Sequence, residues 1–148
     1  MEEGLADLRR TIGGQYMIAL LAKNYSRMDR TEEALKIVNE ALAEIERTGA
    51  TVYKAEMLRL KGDMLLIQGG ESTDNAEHCF RGALEVARAQ EAKCWELRAT
   101  VSLARLLDDT NRSDEARAML SEVYNWFTEG FDLADLKEAK ALLGELSS

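Results

Sequence analysis

The sequence contains no proline, one histidine, two cysteines and few aromatic residues, which make up 6% of the chain. Each shortage excludes something. Without proline no loop is stiffened by a fixed φ, so the connections between elements rest on glycine and short polar residues. Cys79 and Cys94 have no CxxC neighbour and fall on predicted helices, so neither a disulfide framework nor a zinc site is signalled, and both read as buried free thiols. His78 is adjacent to Cys79, and successive helical side chains diverge by about 100°, so the two do not share a metal and His78 reads as a structural or surface residue. Basic residues are also scarce. Nineteen Lys and Arg face 27 Asp and Glu, a net charge of −8. With no cationic surplus to displace counterions, nucleic acid is excluded as a partner. The longest apolar runs, such as MIALLA at 17–22, fall well short of the roughly 20 residues that span a bilayer, and no signal peptide opens the chain. The expectation is a cytoplasmic protein with no membrane contact.

Catalytic motifs are missing as well. There is no GxxxxGK[ST] phosphate loop, no GxSxG elbow, no HExxH helix and no dinucleotide fingerprint. The glycine pairs in GGQ at 13–15 and QGG at 68–70 stand alone. Carboxylate pairs such as Asp108 with Asp109 and Glu32 with Glu33 sit where helix ends are expected, the position of dipole partners rather than of an acid and base. The reading is a protein that is not an enzyme and needs no cofactor and no metal.

What the sequence has in abundance is Leu, Ala, Glu, Lys and Arg, the strong helix formers, so the fold class is all-α. At 148 residues the chain fits one domain able to bury about two thirds of its unfolded surface. Apolar spacing predicts helices near 12–28, 31–48, 52–68, 73–89, 92–109, 113–128 and 133–146. Thr31, Thr73 and Ser113 are placed to act as N-caps, and Gly49 as a C-cap.

Three stretches align with one another. The first is Ile18, Leu21, Ala22, Tyr25, then Ala34, Val38, Ala41. The second is Leu58, Lys61, Gly62, Leu65, then Ala76, Phe80, Ala83, and the third is Thr100, Leu103, Ala104, Leu107, then Ala116, Leu120, Val123. Small residues at these points let a facing helix approach closely while large ones fill the flanks. The small residue and the following alanine are 12 apart in the first and third stretches and 14 apart in the second, and the two additional residues are assigned to the loop at Gly69–Thr73. The interval from Ala41 to Gly62, and from Ala83 to Ala104, is 21 residues, so the surplus lengthens the second helix of one unit and the first of the next.

Each stretch resembles the tetratricopeptide repeat, whose period is 34 residues, drawn out here to 40 to 42. The resemblance implies a right-handed α-α superhelix of antiparallel helix pairs: repeats at 12–48, 52–89 and 92–128, with a capping helix at 131–148. In that last segment, Gly130 ends the preceding helix, Asp132 caps the next and Phe131 staples to Leu136. Leu136, Ala139, Leu143 and Leu146 form the buried stripe, opposite Lys137, Glu138, Lys140 and Glu145. GLADLRR at 4–10 reads as the tail of an earlier unit, so the chain is expected to be a cut fragment with an apolar stripe bared at its beginning, a route to a homodimer, and with the parent's true carboxy terminus at its end.

The resemblance also implies a concave groove lined by first helices. Its positions hold Lys23, Asp63 and Arg105; Tyr16, Glu56 and Arg98; Ala19, Arg59 and Val101; and Arg27, Ile67 and Asp109. The candidate peptide-binding residues are therefore Tyr16, Lys23, Arg27, Glu56, Arg59, Asp63, Arg98, Arg105 and Asp109. Five of these nine are cationic, so an acidic peptide or acidic interdomain segment is the expected ligand, against the alternative that these charges only pair across neighbouring helices. Where relatives that grip peptide carboxy termini carry a Lys and Asn clamp, this chain has Ala19 and Lys23. The order EALKIVNEALAEIERTG, AEMLRLKGDMLL, CFRGALEVAR, LRATVSLARLL and WFTEGFDLADLKEAKALL is further similar to the carboxy-terminal region of large bacterial regulators. These join an adenylate-cyclase-like or DNA-binding domain to a signal-transduction ATPase and elongated repeats. It implies a sensor or scaffold segment that binds protein, or a segment that packs only on its parent's own domains or on itself.

Overall fold

The computed structural model describes residues 12–147, and every residue in a regular element there is helical. The helices are α1 (Ile12–Arg27), α2 (Thr31–Thr48), α3 (Lys54–Gln68), α4 (Ser72–Ala89), α5 (Lys93–Asp109), α6 (Ser113–Trp126) and α7 (Ala134–Leu146). Each lies within two residues of its predicted bounds. None is long and apolar enough to cross a membrane. GLADLRR at 4–10 lies outside the described residues. The chain divides into two compact units after Ala83, inside α4.

In the first unit α1 packs on α2, α2 on α3 and α1 on α3. The α2 stripe Ala34, Ile37, Val38, Ala41 and Ile45 recurs every three or four residues and is buried throughout. It meets Ile18, Ala19 and Ala22 of α1 and Met57, Leu60 and Met64 of α3 in one core, with Leu21, Tyr25, Leu35 and Leu42 at its margin. In the second unit α5 packs on both α6 and α7, and these two on each other. Helix α5 is accordingly buried on almost every side from Glu96 to Leu107, whereas α6 buries only the stripe Ala116, Leu120 and Val123.

The aligned small residues are all interior. Ala22, Ala34, Ala41, Ala76, Ala83, Ala104 and Ala116 are at most 1% exposed. Gly62 is packed against Phe80 so tightly that a Cβ there would lie 2.7 Å from Cδ1 and 2.9 Å from Cζ of the ring.

Three corrections concern helix ends. The two additional residues of the middle stretch are not in the loop: the α3–α4 turn has three residues, as do the α1–α2 and α5–α6 turns. Instead α3 runs one residue further past Gly62 than α1 and α5 run past Ala22 and Ala104, and α4 begins one residue earlier ahead of its alanine. Gly69 and Gly70, with φ of 73° and 63°, make that sharp turn possible.

Thr31, Thr73 and Ser113 do not cap. Arg30 and Arg112 occupy the cap positions without a side-chain bond, Thr73 is the second residue of α4, and Ser113 donates its hydroxyl to Asp108 Oδ1 at 2.5 Å. The chain turns instead through one left-handed residue, Asp29, Glu91 or Asn111, with φ of 62°, 55° and 62°. In each case the next amide donates to a carbonyl five residues back: Arg30 to Tyr25, Ala92 to Ala87 and Arg112 to Leu107, at 2.9, 2.9 and 2.7 Å. A missing cap costs about 1 kcal/mol, less than the roughly 1.5–3 kcal/mol from burying one Ile or Leu, so packing fixes these ends. Gly49 does close α2, left-handed at φ 73° with its amide on the Ile45 carbonyl.

At the far end α6 stops at Trp126, where Phe127 is extended, so Gly130 does not end that helix; its left-handed φ of 78° shapes the loop before α7. Leu133, not Asp132, precedes α7. The buried stripe is Leu136, Ala139, Leu142 and Leu146, with Leu143 half-buried. Phe131 is 46% exposed and meets the Tyr124 ring at 5.8 Å.

Candidate functional site

The candidate groove residues named from the sequence divide between the two units, and each set is distinct. In the first unit Glu56, Arg59 and Asp63 stand three and four residues apart, which puts them on one face of α3. The Arg59 guanidinium donates to both Glu56 oxygens, at 2.9 and 2.6 Å, and to Asp63 Oδ2 at 2.8 Å. Glu56 is 4% exposed, so this pairing is what keeps a carboxylate inside the fold. Loss of surrounding water raises the Asp63 carboxyl above its ordinary range, against the pull of Arg59, with repulsion from Glu56 adding to the rise and Lys23 of α1 opposing it.

Lys23 is half-buried, and Arg27, one turn on, is exposed. Tyr16 is 50% exposed, its ring 6.2 Å from that of Tyr53. Ala19, between them in the row, is buried, while Ile67 at the end of α3 is exposed. The face is thus not the simple basic strip expected from five cations among the nine candidate residues, because Arg59 is balanced by two carboxylates. The exposed positive charge of this set is Arg27, with Lys23 beside it.

In the second unit Arg98 and Arg105 lie two turns apart along α5. Each meets a carboxylate of α7: Arg98 Nε donates to Asp135 Oδ2 at 2.9 Å, and Arg105 Nη2 to Glu138 Oε1 at 2.8 Å. The Arg98 guanidinium also lies 5.4 Å from the centre of the Trp95 ring. Glu138, assigned from the sequence to the outer side of the last helix, turns towards α5 instead. Val101 is buried between the two arginines, and Asp109 is exposed at the end of the row. What sequence reasoning missed is that α7 is the partner of this row, because the paired residues lie 37 and 33 apart in the chain.

The remaining chemistry-bearing residues stay apart. Cys79 is buried, as expected, but Cys94 is exposed at the start of α5, and His78 is exposed. No group of three or more potential metal ligands occurs among the described residues. Compared with known proteins, the chain matches no family model and no curated protein.

Proposed function

We propose that the chain is a tetratricopeptide-type interaction module, a non-catalytic regulatory or scaffold segment of a larger bacterial signalling protein. It holds an acidic, helical protein segment along the first-helix row. The observation that carries this reading is the α5–α7 contact: the arginine row of α5 already holds the acidic edge of a helix through Arg98–Asp135 and Arg105–Glu138. At the corresponding positions of α1 stand the exposed Tyr16 and the half-buried Lys23, and the exposed Arg27 one turn beyond Lys23 adds positive charge to this place for an external segment of the same chemistry. The aligned small residues, all buried, support the repeat itself.

The experiment is capture of candidate acidic helical peptides and of the parent's upstream domains by the full chain and by a Lys23→Glu, Arg27→Glu variant. The variant is expected to lose binding. If it binds every candidate as well as the parent chain does, the groove reading fails. A second reading, a segment that only packs on itself or on its parent, is favoured by the internal pairing of Arg59, Arg98 and Arg105. Under that reading the upstream domains are captured, whereas nothing is captured from lysate.

A further inference from the structure

Away from the groove residues, the second unit carries an open cleft of about 650 Å³ lined by Arg88, Glu91, Lys93, Glu96, Glu122 and Trp126. Its charges are unevenly committed. Both cations are turned onto one carboxylate: Arg88 Nε is 3.2 Å and Lys93 Nζ 3.0 Å from Glu96. Glu91 and Glu122 make no ion pair among the described residues, so the charge left uncompensated in the cleft is negative.

Trp126 stands one turn beyond Glu122 on the same face of α6 and is 57% exposed. Its ring is braced by the edge of Phe127 at 5.2 Å and 87°, and the Lys93 ammonium lies 5.4 Å from its centre. The molecule thus already sets a cation on this indole. An exposed tryptophan among unpaired carboxylates has a defined complement. Arginine stacks its plane on an indole and forks onto carboxylates at once, and the (CH₂)₃ stem lies on apolar surface.

We infer that the Trp126 cleft is a second protein-docking surface, which takes an arginine of a basic partner segment between Trp126, Glu91 and Glu122. This surface has the opposite polarity to the α5 row, so it selects a different partner.

The test uses the full chain and three fluorescein-labelled helical peptides of one design, with a leucine face opposite an arginine, lysine or glutamate face, read by anisotropy. The arginine peptide is expected to bind saturably, the lysine peptide more weakly and the glutamate peptide not at all. Trp126→Ala is expected to weaken the arginine peptide by about tenfold or more, as truncation of an aromatic anchor does. The exposed pair Glu91→Gln, Glu122→Gln is expected to do the same without disturbing the core, and Glu32→Gln in the other unit to change nothing. Absence of saturable binding overturns the proposal, as does equal binding by Trp126→Ala or an equal loss with Glu32→Gln, which marks only general attraction to an acidic protein. Concentration-dependent self-association abolished by Trp126→Ala overturns it too, because a second copy is then the occupant.

Discussion

Gly62 lies under the ring of Phe80, and no atom larger than hydrogen fits between them. At the aligned positions of the other two stretches the pairs are Ala22 with Val38 and Ala104 with Leu120. The larger residue on the second helix goes with the smaller one on the first, so the approach of the two helices is kept while the volume is redistributed.

Gly62→Ala therefore brings a methyl group into Phe80. Alanine favours a helix over glycine by about 1 kcal/mol, but overpacking costs about 1–3 kcal/mol, so a net loss of stability is expected in urea unfolding. Phe80→Leu added to Gly62→Ala recreates the alanine–leucine pair of the third stretch and should recover much of that loss. Strict additivity of the two substitutions would show that the ring is not the obstacle.

Asp63 gives a pH prediction. Its carboxyl titrates above its ordinary value in the folded chain because burial disfavours the charge. A group with a raised folded pKa binds its proton more tightly in the native state, so its ionisation costs stability as pH rises through the window just above the ordinary carboxylate range. Asp63→Asn is expected to be slightly more stable than the parent at pH 7, by less than about 1 kcal/mol given its partial exposure and pairing with Arg59, and the difference should vanish below about pH 4. A constant difference between pH 3 and pH 7, or a loss at pH 7, would contradict this.

The left-handed turn residues are open to improvement. Asp29 adopts φ 62°, a conformation that costs an ordinary residue about 1–2 kcal/mol and glycine almost nothing. Since glycine also loses more freedom on folding, Asp29→Gly should gain a few tenths to about 1 kcal/mol, seen as a higher Tm. Asp29→Val should lower it.

Ending the chain at Glu129 removes α7 and with it the buried Leu136, Leu142 and Leu146. At about 1.5–3 kcal/mol for each leucine, the melting temperature should fall steeply, whereas Arg105→Ala, which loses a half-exposed ion pair, should shift stability by no more than about 1 kcal/mol. An unchanged Tm after truncation would mean that α7 is not a cover.

The helices were legible because their signal is additive: five apolar residues at helical spacing place α2 whatever lies around it. Helix ends were less legible, since Asp29, Glu91 and Asn111 carry no glycine flag and adopt their conformation only because the packed helices on either side require it. Of the two readings of the candidate groove charges, pairing with neighbouring carboxylates is the one seen for Arg59, Arg98 and Arg105. That Arg59 is matched by Glu56 and Asp63 was readable from their three- and four-residue spacing, whereas the pairs Arg98–Asp135 and Arg105–Glu138 join residues 37 and 33 apart and depend on how α7 docks on α5.

The unequal burial of the two cysteines makes the protein chemically addressable at a single site. Cys79 is 8% exposed, and loss of water raises its thiol pKa, only partly offset by Lys61, so at neutral pH it stays protonated and shielded. Cys94 is exposed in the first turn of α5. A maleimide dye or spin label added to the unaltered chain will therefore attach at Cys94 and mark the start of α5.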